Sequence, residues 1–266
     1  MNTQTNISSD IKKTRKPFSF YDSYDYATFW RGRDYEHSAD VIAVTSLLRR
    51  TSSARHRVID IGGGMGRMTQ YYADAYEEAI IMDSSLDQLE KAKSMYGERY
   101  PHILFKEGIA QQLPFPNEYA DLLLCIRVSH YIKNIKAVIF ESERVLVPGG
   151  YFILEIANKI HMKARWRAWL NVIKKRELFS ESPSWVYAKH NSIVFVNHHP
   201  HIVEKEIYEA GFSIVSKRSV SNFRSPLLKK IIPTSVLLLL ERITQPLFAS
   251  WFFGPSIYFL LKKKDT

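Results

Sequence analysis

The stretch VIDIGGGMGRMT, from Val58 to Thr69, constrains this chain more than any other segment, because an apolar β-type run passes straight into three consecutive glycines. Val58, Ile59 and Ile61 suit a strand buried on both faces, as in a parallel sheet. Gly62, Gly63 and Gly64 let the backbone turn sharply and approach a ligand, and Gly66 leaves room for a helix to pack on the strand. The turn is expected to run into a helix. Arg67 stands where a dinucleotide fingerprint places its third glycine, which weighs against a nicotinamide site. Taken alone, three adjacent glycines also suit a plain tight turn.

The segments that follow favour a cofactor cradle. Ala79 to Met82 form a short apolar run ending at Asp83, about one βαβ unit after the glycines, and a carboxylate at that strand end can accept both ribose hydroxyls of an adenosine. A loop from Gly108 to Asn117 leads into an apolar strand from Asp121 to Val128, and Ile109 and Ala110 are placed to pack on an adenine. The fourth piece, VLVPGGYFILEIA, reads as a helix end, a Pro-Gly-Gly turn and a strand.

In this order the four pieces resemble the class I S-adenosylmethionine-dependent methyltransferases, especially the broad group around the ubiquinone and menaquinone biosynthesis C-methyltransferases. The resemblance covers Tyr21 to Gly150 by motif and extends more loosely through NHHPHIVEKEIYEAGFSIV. It implies an α/β, Rossmann-like sheet of seven strands in the order 3-2-1-4-5-7-6, the seventh antiparallel, with helices on both faces and a helical cap. It also implies S-adenosylmethionine as cofactor, with Asp60, Gly62, Gly63, Gly64 and Gly66 holding the methionine part, Asp83 the ribose, and Ile109 with Ala110 the adenine. Ser84 and Arg127 complete the expected cofactor-binding set. One departure matters: the family often has an acidic residue where Ile109 stands, so a backbone group, Gln111 or Gln112 must meet the adenine amino group.

A chain of 266 residues with 45% hydrophobic content can bury the core of one elaborated domain. The reading is a tail over residues 1–17 and one domain over 18–266: a cap at 18–57, the cofactor core at 58–157, a helical lid segment at 158–211, and the last two strands at 212–266 with a helical insertion at 225–253. Cys125, the single cysteine, falls in an apolar strand and excludes a disulfide framework. The first seventeen residues are polar and basic without an apolar signal core, which points to the cytoplasm. The net charge of +10 divides into +4 over residues 1–57, −4 over 58–150 and +10 over 151–266. An acidic core suits a sulfonium cation, and the basic excess belongs to the part that meets a substrate or a surface.

Around the core, the aromatic run from Phe18 to Trp30 is expected to supply mainly core and part of a substrate pocket. Arg31, Arg33 and Tyr35 are candidates for the methionine carboxylate. The next helix should turn Val41, Ile42, Val44, Leu47 and Leu48 inward. NKIHMKARWRAWLNVIKKRELF reads as a basic amphipathic helix, on the surface, as a lid or at a membrane. Pro200 opens a helix that Gly211 closes, ahead of a sixth strand FSIVSKRSVS. His198, His199 and His201 lie at that helix start, but no cysteine or carboxylate has ligand spacing to them, so no metal is expected. The 19 residues from Ile243 to Leu261 are uncharged, near the length of a membrane span, yet Gln245, Pro246, Gly254 and Pro255 interrupt them. By the resemblance, PSIYFLLKK is the seventh strand. The apolar insertion before it then faces a greasy substrate chamber or lipid, which adds peripheral membrane contact to the cytoplasmic reading.

His130, just past the fourth strand, is the candidate catalytic base, because that strand tip faces the cofactor in the resembled fold and imidazole titrates near neutrality. The alternative is a histidine that packs beside the adenine or caps the next helix; Tyr131 is the weaker candidate base. The expected function is methyl transfer to a small, apolar or amphipathic acceptor. Rival readings are an RNA acceptor, a membrane lipid or quinone, and a catalytically silent cofactor-binding protein. RNA is disfavoured because the basic residues are interleaved with leucine and tryptophan and no RNA module is present.

Overall fold

A computed structural model describes residues 30, 32–51, 54–169, 176–187 and 194–265. The polar tail, the aromatic positions before Trp30, Arg31 and the middle of the basic segment lie outside the described residues. The apolar runs form strands because both faces of the sheet are covered. β1 (Arg57–Ile61), β2 (Glu78–Asp83), β3 (Ile103–Glu107), β4 (Ala120–Cys125) and β5 (Leu146–Ala157) pair in parallel. Two further strands complete the seven-stranded sheet, β8 (Phe212–Val220) and β9 (Ser256–Lys263), and β9 runs antiparallel to both β5 and β8. The order is β3-β2-β1-β4-β5-β9-β8. This is the expected α/β, Rossmann-like sheet, and it differs in detail: a separate ribbon, β6 (Ser184–Tyr187) with β7 (Val194–Asn197), intervenes in the chain before β8.

Side-chain alternation divides the core into two clusters. Ile59, Ile61, Leu123, Cys125 and Phe152 pack on one face, Val58, Leu122, Leu124 and Tyr151 on the other. Burial raises the Cys125 thiol pKa, so this cysteine is a core residue. Helices cover the faces: α1 (Asp34–Leu48), α2 (Leu86–Tyr96), α3 (Ile135–Val145), α4 (Met162–Trp169) and α5 (Pro200–Glu209). Ser85 and Asn134 cap α2 and α3 by accepting from the backbone N–H of Gln88 and Ala137. α6 (Pro226–Ile231) and α7 (Thr234–Leu247) lie between β8 and β9.

Two local expectations change. The glycine turn leads into two 3-10 turns, Thr69–Tyr71 and Ala73–Ala75, rather than an α-helix. The chain here carries Tyr72 inward, where its hydroxyl donates to Asp60 at 3.0 Å. β4 stops at Cys125, before the expected Val128, because Arg127 takes φ +62° and turns its N–H to Glu155 Oε2 at 3.1 Å. On α4, within the segment read as a basic amphipathic helix on the surface, as a lid or at a membrane, Trp166 and Trp169 are exposed while Ala168 is buried.

α7 packs against α1 and β8 through Leu237 and two polar residues, Glu241 and Gln245. Glu241 accepts from the Tyr35 hydroxyl at 2.5 Å and from the Asn222 N–H, and Gln245 donates to the Ala39 carbonyl at 2.9 Å. Tyr35 is therefore occupied inside the protein, away from the role of a methionine-carboxylate ligand. Burial raises the Glu241 pKa, and the donors around it oppose that shift. No described helix is long and apolar enough to cross a membrane. Replacing Tyr35 by phenylalanine leaves Glu241 short of a donor and should lower stability by about 1–3 kcal/mol. Urea denaturation of Tyr35→Phe checks this, and an unchanged midpoint would show that the Tyr35–Glu241 bond adds nothing to the tie between α1 and α7.

Candidate active site

The cleft opens at the carboxyl ends of the central parallel strands, where open α/β sheets bind ligands. Asp60, Gly62, Gly63 and Gly64 line it from β1 and its turn, Asp83 and Ser84 from β2, Ile109 and Ala110 from the loop after β3, and Arg127 from the end of β4. Two sequence candidates, Gly66 and His130, do not line it. Arg67, Met68, Gln88, Gln111, Val128 and Tyr131 do, and the sequence reading gave none of them a cofactor contact except Gln111.

The backbone of the glycine turn is tied to β2. Gly62 and Gly63 donate to the Met82 carbonyl at 2.7 and 3.1 Å. Gly64 donates to Asp83 Oδ2 and Ser85 to Asp83 Oδ1, both at 2.9 Å. Gly64 has φ +56°, and a Cβ there would meet only Asp83 Oδ2 at 3.8 Å, so it borders open space. Gly66 is different: a Cβ would come within 2.7 Å of Tyr96 and 2.8 Å of Thr69. Its glycine serves the packing of α2, which corrects its assignment to the cofactor.

Asp60 is buried, and burial pushes its carboxyl up to about 7 against the Tyr72 hydroxyl and Arg67, which favour the ionised form. Gln88 is 3% exposed, and its amide Nε2 and Oε1 have no hydrogen-bond partner among the described residues. A buried amide is costly unless a ligand satisfies it. An adenosyl ligand with hydroxyls, ring nitrogens and an ammonium fits these groups: open space at Gly64, two strand-end carboxylates and an unmet amide. Gln111 lines the cleft on the adenine side expected for Ile109 and Ala110, whereas Gln112 does not. Gln88 escaped the sequence reading because a polar residue in the first turn of a helix reads as solvated.

Arg127 is anchored rather than available. Its guanidinium donates to the two Asp40 oxygens at 2.7 and 3.1 Å and to Ser256 Oγ at 2.9 Å. Arg67 lies 3.2 Å from Asp40, donates to His37 at 3.0 Å and stacks over Trp30 at 4.1 Å. His130 packs on Tyr131 and Phe195 with ring centroids at 3.8 and 5.4 Å. Burial, Arg127 and His198 depress its pKa to about 3. So weak a base, outside the cleft, does not fit the role expected for it; Tyr131 lines the cleft instead. His198 donates through Nε2 to the Ser129 carbonyl at 3.0 Å, and His199 faces His201 at 5.6 Å. Among the described residues no group of three or more side chains suits a metal ion.

Residues 59–154 match the family model of a methyltransferase domain. The uncharacterized methyltransferase YcgJ of Bacillus subtilis is 32% identical over 38% of this chain and 40% of its own length. A fatty-acid O-methyltransferase of Mycolicibacterium smegmatis is 30% identical over 41% of this chain and 40% of its own. The chain thus spans about 40% of the length of these curated relatives. A crystal structure from Listeria monocytogenes, assigned to an S-adenosylmethionine-dependent methyltransferase, superposes with a TM-score of 0.64 at 14% identity over 86% of this chain and 99% of that one, a likeness of fold.

Asp60 supplies a pH test. Between the ordinary carboxyl range and about 7 the folded chain binds more protons at this site than the unfolded chain, so its contribution to stability is lost as pH rises through that window. Asp60→Asn lacks this loss. Its stability relative to the wild type should climb from pH 4 to about 7 and level off above, in thermal melts without ligand. A pH-independent difference would show that Asp60 ionises normally.

Proposed function

We propose that this chain, whose residues 59–154 match a methyltransferase domain, is a class I S-adenosylmethionine-dependent methyltransferase that transfers a methyl group from that cofactor to a small apolar or amphipathic acceptor. The observation that carries the reading is one cleft that joins two strand-end carboxylates and the unobstructed Gly64 to an apolar wall of Met68, Ile126, Val128 and Ile132. Relatives named for a fatty acid and for phthiotriol and phenolphthiotriol dimycocerosates support an amphipathic acceptor.

Bound in this cleft, S-adenosylmethionine supplies a methyl group already activated on sulfonium. Asp60 would face the ammonium, Asp83 the ribose hydroxyls, and Ile109 with Ala110 the adenine face, with Gln88 and Gln111 offering amides to the remaining polar atoms. The protein contributes alignment and the exclusion of water. An acceptor that already carries a carboxylate or thiolate needs no base. A hydroxyl or acidic carbon must lose a proton, and Tyr131 is the titratable side chain past β4 that borders the cleft.

In calorimetry with S-adenosylhomocysteine, Asp83→Ala should weaken binding by about 1.5–3 kcal/mol and Gln88→Ala by about 0.5–1.5 kcal/mol, as for hydrogen bonds to a charged and a neutral group. Gly64→Val should abolish binding while the chain stays folded; normal affinity in that variant would sink the cradle. The acceptor class is read by incubating the protein with methyl-labelled S-adenosylmethionine and total cell extract. Label should enter the organic-extractable small-molecule fraction and be absent with Gly64→Val. Label confined to RNA would overturn the apolar acceptor, and no label in any fraction would favour a silent cofactor-binding protein.

A further inference from the structure

The insertion between β8 and β9 is sided the wrong way round for a helix covering a soluble domain. On α7 the carboxyl of Glu241 and the amide of Gln245 face inward, while Val236, Leu239, Ile243 and Leu247 recur along the outer face and are between 44% and 65% exposed. On α6, Leu227 and Ile231 are exposed as well. An ordinary surface helix shows the opposite arrangement, and a contiguous apolar stripe of this kind calls for a partner.

The charges around the stripe select that partner. Between Ser221 and Pro255 the only acidic residue is Glu241, which is fully buried, against four basic residues, Arg224, Lys229, Lys230 and Arg242. Lys229 pairs with Glu36 of α1 at 2.9 Å, and Lys230 and Arg242 are exposed beside the apolar face. The outer surface of the insertion is thus aliphatic and positive, with no carboxylate. α4 starts against its end, where the Met162 N–H donates to the Phe253 carbonyl at 2.9 Å, and adds the exposed Trp166 and Trp169 together with Lys163 and Arg167. Aliphatic and basic residues on one outer surface, as on this insertion, are the composition of helices that lie in the interface of an anionic membrane. With 14 residues α7 is about 21 Å long, too short to span the hydrocarbon, and its inner face is bonded to the protein, so it would lie along the surface. A second copy of the chain is a poorer occupant. A two-fold contact through this patch would bring its basic residues together with no acidic counterpart.

We propose that the α6–α7 insertion docks this protein on an anionic lipid bilayer, with Val236, Leu239, Ile243 and Leu247 at the acyl boundary and Lys230 and Arg242 among the headgroups. The docked face lies one helix away from the cleft. α7 rests on α1, and α1 carries the Asp40 that holds Arg67 and Arg127 at the cleft wall.

The test is sedimentation of the full-length protein with sucrose-loaded vesicles of phosphatidylglycerol mixed with phosphatidylcholine, and of phosphatidylcholine alone. The wild type should partition to the anionic vesicles and be released by salt. Leu239→Ser with Ile243→Ser should reduce partitioning by about tenfold or more, as expected for removing large buried side chains. Lys230→Ala and Arg242→Ala should each reduce it about fivefold. Binding of S-adenosylhomocysteine should be unchanged in all of these, which separates this surface from the cofactor cleft. Because the altered side chains are exposed, melting temperatures should match the wild type; if the double serine variant fails to fold, acyl-brominated lipid provides the second reading by quenching tryptophan fluorescence in the wild type. Absence of binding to anionic vesicles, or undiminished binding by the folded serine variant, would overturn the proposal. So would concentration-dependent self-association, or capture of an acidic protein in place of lipid, that the same substitutions abolish.

Discussion

A single buried carboxylate, Asp40, ties the two ends of this chain to its cleft. It is fully buried on α1 and receives the guanidinium of Arg127 at 2.7 Å, Arg67 at 3.2 Å and the Tyr258 hydroxyl at 2.8 Å. Burial alone would raise its pKa, but Arg127 and Arg67 outweigh burial and hold the carboxyl below its usual range. The cluster stays ionised, and each member depends on the others, because a lone charge left in such a place is strongly destabilising. Through Asp40 the helix before β1, the loop after β4 and the last strand become one wall. The positive φ of Arg127 belongs to this arrangement: its backbone N–H turns to Glu155 on β5 while its side chain reaches back to α1 and across to Ser256.

The same helix supports the insertion. Tyr35 and the Ala39 carbonyl meet Glu241 and Gln245, so the inner face of α7 is fixed by hydrogen bonds as well as by apolar packing. That choice leaves the leucine and isoleucine face of the helix outward. The internal bonds and the outward stripe are consequences of one rotation of α7 about its axis, and the direction of that rotation follows from where Tyr35 and Ala39 stand on α1.

Much of the fold was legible because its signals are local. Runs such as Val58 to Ile61 and Ala79 to Met82 can be buried on both faces only in a covered parallel sheet, and Pro200 and Gly211 bound a helix by their own backbone restrictions. The 3-10 turns after the glycines were not legible, since nothing in the local pattern announces that Tyr72 will reach Asp60. The β6–β7 ribbon was missed as well, inside the 158–211 segment read as a helical lid and beyond the basic stretch that carried that reading.

In the site the division runs along the same line. Sequence alone determined that Gly62 to Gly64 make a close turn at a strand end, that Asp83 ends the next strand beside it, and that the chain carries a parallel α/β core, because strand period, glycine conformation and spacing act over a few residues. Tertiary structure alone decided the rest. Asp40 and Gln88 drew no assignment, Gly66 was placed in the cradle and His130 as a base, and only the fold brought together residues as far apart as Asp40 and Arg127, 87 positions from each other. What a side chain does depends on its dielectric surroundings and on which charges stand within a few ångströms, and those are set by contacts between distant segments that no local pattern encodes.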